Sequence, residues 1–114
     1  MAAGAAEGVL SPLGGCVVAT SLPASTQKDV TTKYMKDYQA KYNAPLSSFG
    51  GHAWDALYLV ANALKVAGCD KEGIRNELEK TTNFVGQHGV FNFSPWQDAF
   101  YMTVVKNNDF TLAD

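Results

Sequence analysis

The nineteen residues from Phe49 to Ala67, FGGHAWDALYLVANALKVA, constrain this chain more than any others. Ala53, Ala56, Leu57, Val60, Ala61 and Leu64 recur at the three- and four-residue steps of a helix face that is expected to be buried. Trp54, Tyr58 and Leu59 lie off that stripe. The helix is therefore apolar round most of its circumference and is expected to lie between two neighbours. At its front stand Phe49, Gly50 and Gly51. A helix N-terminus leaves N–H groups unpaired there, and a carboxylate or phosphate can be received by them.

The flanking sequence sets an order of elements. GGCVVAT (14–20) is short, β-branched and unalternating, as expected of a strand buried on both faces. Ser25 or Thr26 offers an N-cap for a helix running to about Tyr42, with Val30, Tyr34, Tyr38 and Tyr42 at steps of four and Met35 beside them. Packing accounts for that stripe, because a tyrosine ring buries a large area while its hydroxyl stays wet. Asn43, Ala44 and Pro45 break the helix. Ser47 or Ser48 then caps the central helix, and Gly68 closes it. Asp70 caps a third, shorter helix with Ile74 and Leu78 inward and Glu72, Glu77, Glu79 and Lys80 on a solvated face. After Thr81, Thr82 and Asn83 the pattern turns extended: GVFNF (89–93) and FYMTVVK (100–106) predict strands, and NND (107–109) turns the chain into a last stretch, FTL. The fold class is α/β: one strand, then three helices, then two or three strands, with the helices on a short mixed or antiparallel sheet.

Bulk properties exclude several functions. At 114 residues the chain is one domain's worth, too short for two lobes with separate cores. Nine Lys and Arg against eleven Asp and Glu give a net charge of −2, so there is no basic field to draw nucleic acid or an acidic membrane. No apolar run approaches the ~20 residues that span a bilayer. Cys16 and Cys69 lack CxxC or His-paired spacing and are expected to be two buried thiols rather than a disulfide. His52 and Asp55, at i and i+3, have no third or fourth metal donor nearby, so they are expected to be solvated or locally hydrogen-bonded. His88 sits in a glycine-flanked turn with no nucleophile or orienting acid paired to it by any motif. No catalytic residue, metal or cofactor is therefore assigned. Asn92-Phe93-Ser94 fits the glycosylation sequon, but Pro95 and the strand setting argue against its use.

Five segments together carry a family likeness: DYQAKYNAP (37–45), GHAWDALYLVANALKVAG (51–68), LEKT (78–81), FVGQHGVFNFSP (84–95) and AFYMTVVKNNDF (99–110). In that order they resemble the C-terminal part of the type I periplasmic binding proteins of ABC importers, of the leucine/isoleucine/valine type. The resemblance implies a partial periplasmic-binding-protein-like I lobe, with residues 1–114 a single incomplete domain from the C-terminal segment of a two-lobed solute-binding protein. It implies a periplasmic, non-catalytic parent whose partners are a small amino acid or amide ligand and an ABC permease. By position Phe49 would bound the ligand's side chain, Gly50 and Gly51 would allow close backbone approach, and Gly86 and Gly89 would flank a hinge. The family's loop after the Phe-Asn-Phe-Ser-Pro motif is longer than SPWQDAF, so no loop residue carries over. MAAGAAEG lacks the charged and apolar regions of a signal peptide. With most ligand contacts expected elsewhere, the chain alone should bind amino acids weakly or not at all.

Two other readings are distinct in kind. One is a self-associating structural fragment, a homodimer formed by strand exchange, because unpaired strand edges seek partners. The other is a small enzyme using His88 or His52.

Overall fold

The computed structural model describes residues 4–93, 96–97 and 100–113. Strand β1 (Leu10–Leu13) leads into a 3-10 turn (Gly15–Val18), followed by helices α1 (Thr26–Tyr42), α2 (Ser48–Ala67) and α3 (Lys71–Glu79). Strands β2 (Phe84–Val85), β3 (Val90–Phe93), β4 (Trp96–Gln97), β5 (Tyr101–Lys106) and β6 (Asp109–Leu112) complete the chain. Strand, three helices, then strands is the expected order, with five short strands at the end where two or three were expected.

The strand expected at 14–20 is not one. Gly15 N donates to His88 O at 2.8 Å and Val17 N to Gly14 O at 3.1 Å, so this run folds as a 3-10 turn against His88. Gly15, Cys16 and Val18 are buried, which is all that an unalternating apolar run specifies. The strand lies just upstream and pairs antiparallel with β5, from Leu10↔Val104 to Leu13↔Tyr101. Pro12 is tolerated there because β1 is an edge of the β1-β5-β6 sheet.

Local chemistry explains the helix ends. Ser25 Oγ accepts from Lys28 N at 3.2 Å to start α1, and Asn43, left-handed at φ 49°, stops it with its N–H on Gln39 O. Asp70 accepts from Gly73 N at 2.9 Å to start α3. Asn107 and Asn108, with φ of 54° and 61°, form the two-residue turn of a type I′ hairpin between β5 and β6. A second antiparallel sheet runs β2-β3-β4. Every described strand has a partner inside the chain, so the condition for strand exchange, strands left unpaired, is not met. Of SPWQDAF, Ser94, Pro95, Asp98 and Ala99 lie outside the described residues, while β4 pairs with β3 as Asn92↔Gln97 and Phe93↔Trp96.

Which face of α2 is covered differs from expectation. Gly51, Asp55 and Ala63 are buried, and Trp54 and Leu59 are half-buried. Ala53, Ala56, Leu57, Val60 and Leu64 are exposed, Leu57 at 67%, and only Ala61 of the stripe is half-buried. The 3.6-residue period marks an apolar face without saying what lies on it, and here α3, the 3-10 turn and the 86–89 turn take the opposite side. Cys16 is buried as expected, but Cys69, at the α2–α3 corner, is exposed. On α1 the buried residues are Gln27 and Thr31, and Tyr42 is exposed. The tyrosines instead join a run of rings, Tyr42–Tyr38–Tyr34–Trp54–Phe84–Phe91–Phe93, that ties α1 and α2 to β2 and β3.

The surface is large for the mass. It measures 7425 Å², about a fifth above the roughly 6,100 Å² expected for a folded chain of this size. The radius of gyration is 16.0 Å, against about 13 Å for a compact domain of this length. Among the described residues no helix is long and apolar enough to cross a membrane.

Candidate functional site

Helix α2 begins at Ser48, one residue after its cap Ser47, so Phe49, Gly50 and Gly51 form its first turn. Gly51 N donates to Ser47 O at 3.3 Å. Helix geometry leaves the N–H groups of Ser48, Phe49 and Gly50 without an intrahelical acceptor, and the Ser47 side chain caps none of them. Phe49 is 83% exposed, a whole ring held in solvent beside those donors. Gly50 lies against the Tyr34 hydroxyl, and Gly51 is buried, with room for no side chain: a Cβ there would stand 2.8 Å from His88 Cε1 and 3.0 Å from Cys16 Sγ. The three residues expected at a ligand thus sit together, Phe49 in solvent, Gly50 half-buried against Tyr34 and Gly51 facing the interior.

One turn further along, Asp55 is only 3% exposed. Its carboxylate accepts from Gln87 N at 2.5 Å, from His88 N at 3.2 Å and from His88 Nδ1 at 3.1 Å. On the other side of the ring, His88 Nε2 lies 3.7 Å from Cys16 Sγ, and His52 stacks on the ring at 3.5 Å between centroids. The 86–89 turn is held further by Gln27 Nε2 donating to Gly86 O at 2.7 Å and by Gly86 N donating to Gly89 O at 2.9 Å. Neither Gly86 nor Gly89 has a positive φ. Gly86 is required by space, since a Cβ would stand 2.6 Å from Asp55 Oδ1.

Two sequence expectations change here. Asp55 is buried rather than solvated, and its partners lie on another element. His88 does have an orienting acid, Asp55, and a thiol, Cys16, on its far nitrogen. These residues are 33 and 72 positions from His88, so no motif spacing joins them. The sequence carries no signal for it; the structure shows Gly14, Gly51 and Gly86 each packed where a Cβ would meet His88 or Asp55. Among the described residues no group of three or more His, Cys, Asp or Glu is disposed to hold a metal ion.

Burial opposes a charge on His88. Its hydrogen bond to Asp55, its contact with Cys16 and the charges of both outweigh that, raising its pKa from 6.5 to about 9. His52 is pushed below 6.5 by partial burial and then by the charge on His88, with Asp55 opposing. The folded state therefore holds the His88 proton more tightly than the unfolded chain does. The resulting stability is full below pH 6.5 and is lost as pH rises through 9, a contribution of at most about 3 kcal/mol. Urea unfolding at pH 6.0, 7.5 and 9.5 is expected to give falling midpoints, and a His88→Gln variant should lose most of that slope.

Neither a protein-family model nor a curated protein matches the chain. Solved structures do. An extracellular ligand-binding receptor from Rhodopseudomonas palustris HaA2 aligns with a TM-score of 0.78 at 25% identity, over 95% of this chain and 34% of that one. The chain has the fold of part of an extracellular ligand-binding receptor. Two further receptors share the fold. A leucine-binding protein from Thermotoga maritima aligns with a TM-score of 0.72 at 24% identity, over 96% of this chain and 31% of that one. A substrate-binding protein of an ABC transporter from Desulfitobacterium hafniense, in complex with Leu, gives 0.70 at 21%, over 95% and 32%. This chain spans about a third of the length of those proteins. The architecture is a partial lobe of the periplasmic-binding-protein type.

Proposed function

We propose that this chain is part of the periplasmic substrate-binding component of an ABC importer for branched-chain or related amino acids, delivering its ligand to a membrane permease. Phe49 bounds the ligand's side chain. The free N–H groups of the first α2 turn face the α-carboxylate, favoured by the partial positive charge of a helix N-terminus. Gly86 and Gly89 border the hinge, and the 86–89 turn fixes α2 to it through Asp55. The observation that carries this reading is the exposure of Phe49 at the unpaired end of α2. The Leu complex of the Desulfitobacterium protein and the leucine-binding Thermotoga protein support the ligand class.

Isothermal titration with leucine, isoleucine, valine, phenylalanine and small amides tests it. The isolated chain is expected to give no measurable heat, because the facing walls of the pocket belong to the rest of the parent. In a parent protein containing this segment, Phe49→Ala should weaken binding roughly 10- to 100-fold, the loss of about 1.5–3 kcal/mol of apolar burial. An unchanged affinity in that variant would remove Phe49 from the pocket.

A second reading, a self-associating segment, is favoured by the exposed Ala53, Ala56, Leu57, Val60 and Leu64 face. The enzyme reading built on His88 or His52 is not favoured by the likeness to ligand-binding receptors.

A further inference from the structure

We propose that Cys16 is a site of covalent modification by small peroxides, its sulfur activated by the His88–Asp55 pair. The two cysteines of the chain occupy opposite settings: Cys69 is exposed, whereas Cys16 is 3% exposed and lies 3.7 Å from His88 Nε2. The His88 ring is fixed on every side. Asp55 Oδ2 holds Nδ1 at 3.1 Å, His52 stacks on one face, and Gly14 and Gly51 pack against the ring with no side chain between. With Nδ1 bonded to a carboxylate, Nε2 can point its own N–H at the sulfur, and negative charge gathering on Sγ is stabilised by that N–H. A cavity of about 440 Å³ opens beside Cys16, bordered also by Val17, Met35, Gln39 and Leu46, and gives a small oxidant a way in.

The step balances as follows. The reacting form is the ion pair of a Cys16 thiolate and the His88 imidazolium: the thiolate Sγ attacks one oxygen of hydrogen peroxide, and the S–O bond forms as the O–O bond breaks. The departing hydroxide takes the proton from His88 Nε2 and leaves as water. Sulfur is oxidised by two electrons to a sulfenic acid, the peroxide is reduced by the same two, and His88 is left neutral.

The test uses the whole chain at pH 7 with substoichiometric hydrogen peroxide, dimedone to trap sulfenic acid, and peptide mass spectrometry. Cys16 is expected to be labelled at least tenfold more than Cys69, in spite of its burial. His88→Gln, checked for folding by circular dichroism, should bring Cys16 labelling down to or below that of Cys69. A second measurement leaves the site untouched: in Cys69→Ser protein, the rate of Cys16 oxidation is compared with and without denaturing urea. Activation by His88 predicts a faster reaction in the folded chain, while burial alone predicts a faster one in the unfolded chain. Faster oxidation on unfolding, or Cys69 labelled ahead of Cys16 in the native chain, would overturn the proposal.

Discussion

Asp55→Asn is expected to cost about 3–5 kcal/mol of folding stability, the range for removing one partner of a buried ion pair. The carboxylate receives three donors, Gln87 N, His88 N and His88 Nδ1, and among the described residues no other acceptor serves them. An Asn at this position keeps one acceptor oxygen but turns an amide NH₂ toward the remaining donors, and the charge that offsets the His88 imidazolium disappears. Net stabilities of natural domains are commonly about 5–15 kcal/mol, so a loss of this size takes most of what a chain with so open a surface has. Urea unfolding followed by circular dichroism measures it. A cost below about 1 kcal/mol would mean that the 86–89 turn is held by Gln27 and Gly15 without Asp55. The double variant Asp55→Asn/His88→Gln should recover part of the loss, since it no longer leaves a buried charge unpaired.

The isolated chain is expected to self-associate through α2, and Leu57→Lys with Leu64→Lys to return it to monomer. Leu57, Val60 and Leu64 are each at least 40% exposed on one helix face, with Val66 at 72% nearby. Covering two leucines on each of two chains gains several kcal/mol at about 25 cal/mol per Å², so replacing them should raise the dissociation constant more than about 100-fold. Size-exclusion chromatography with light scattering across a concentration series reads this directly. A chain that is monomeric at every concentration before substitution would show that the face is tolerated in water. The same pair of substitutions separates the two functional readings. In a parent receptor that covers this face they should cost about 2–5 kcal/mol, whereas on a naturally bare surface the effect stays within about 0.5 kcal/mol.

Much of the chain was legible because its signals are local. Ser25, Asp70, Asn43 and Gly68 mark helix ends by hydrogen bonds or left-handed backbone within four residues of themselves. Asn107 and Asn108 mark a hairpin by the sign of φ. The run at 14–20 misled for the opposite reason. Its apolar residues report burial, and the choice between strand and 3-10 turn was made by His88 O, more than seventy residues away.

The amino-acid sequence by itself determined the order of elements, their caps and turns, and the family likeness of the five segments, because each depends on neighbours along the chain. Only the tertiary structure decided which side of α2 is covered and that Asp55, His88 and Cys16 meet. A hydrophobic period has no partner written into it, and a buried charge pair between distant segments leaves no spacing to read; both exist only once α2, the 3-10 turn and the 86–89 turn have packed together.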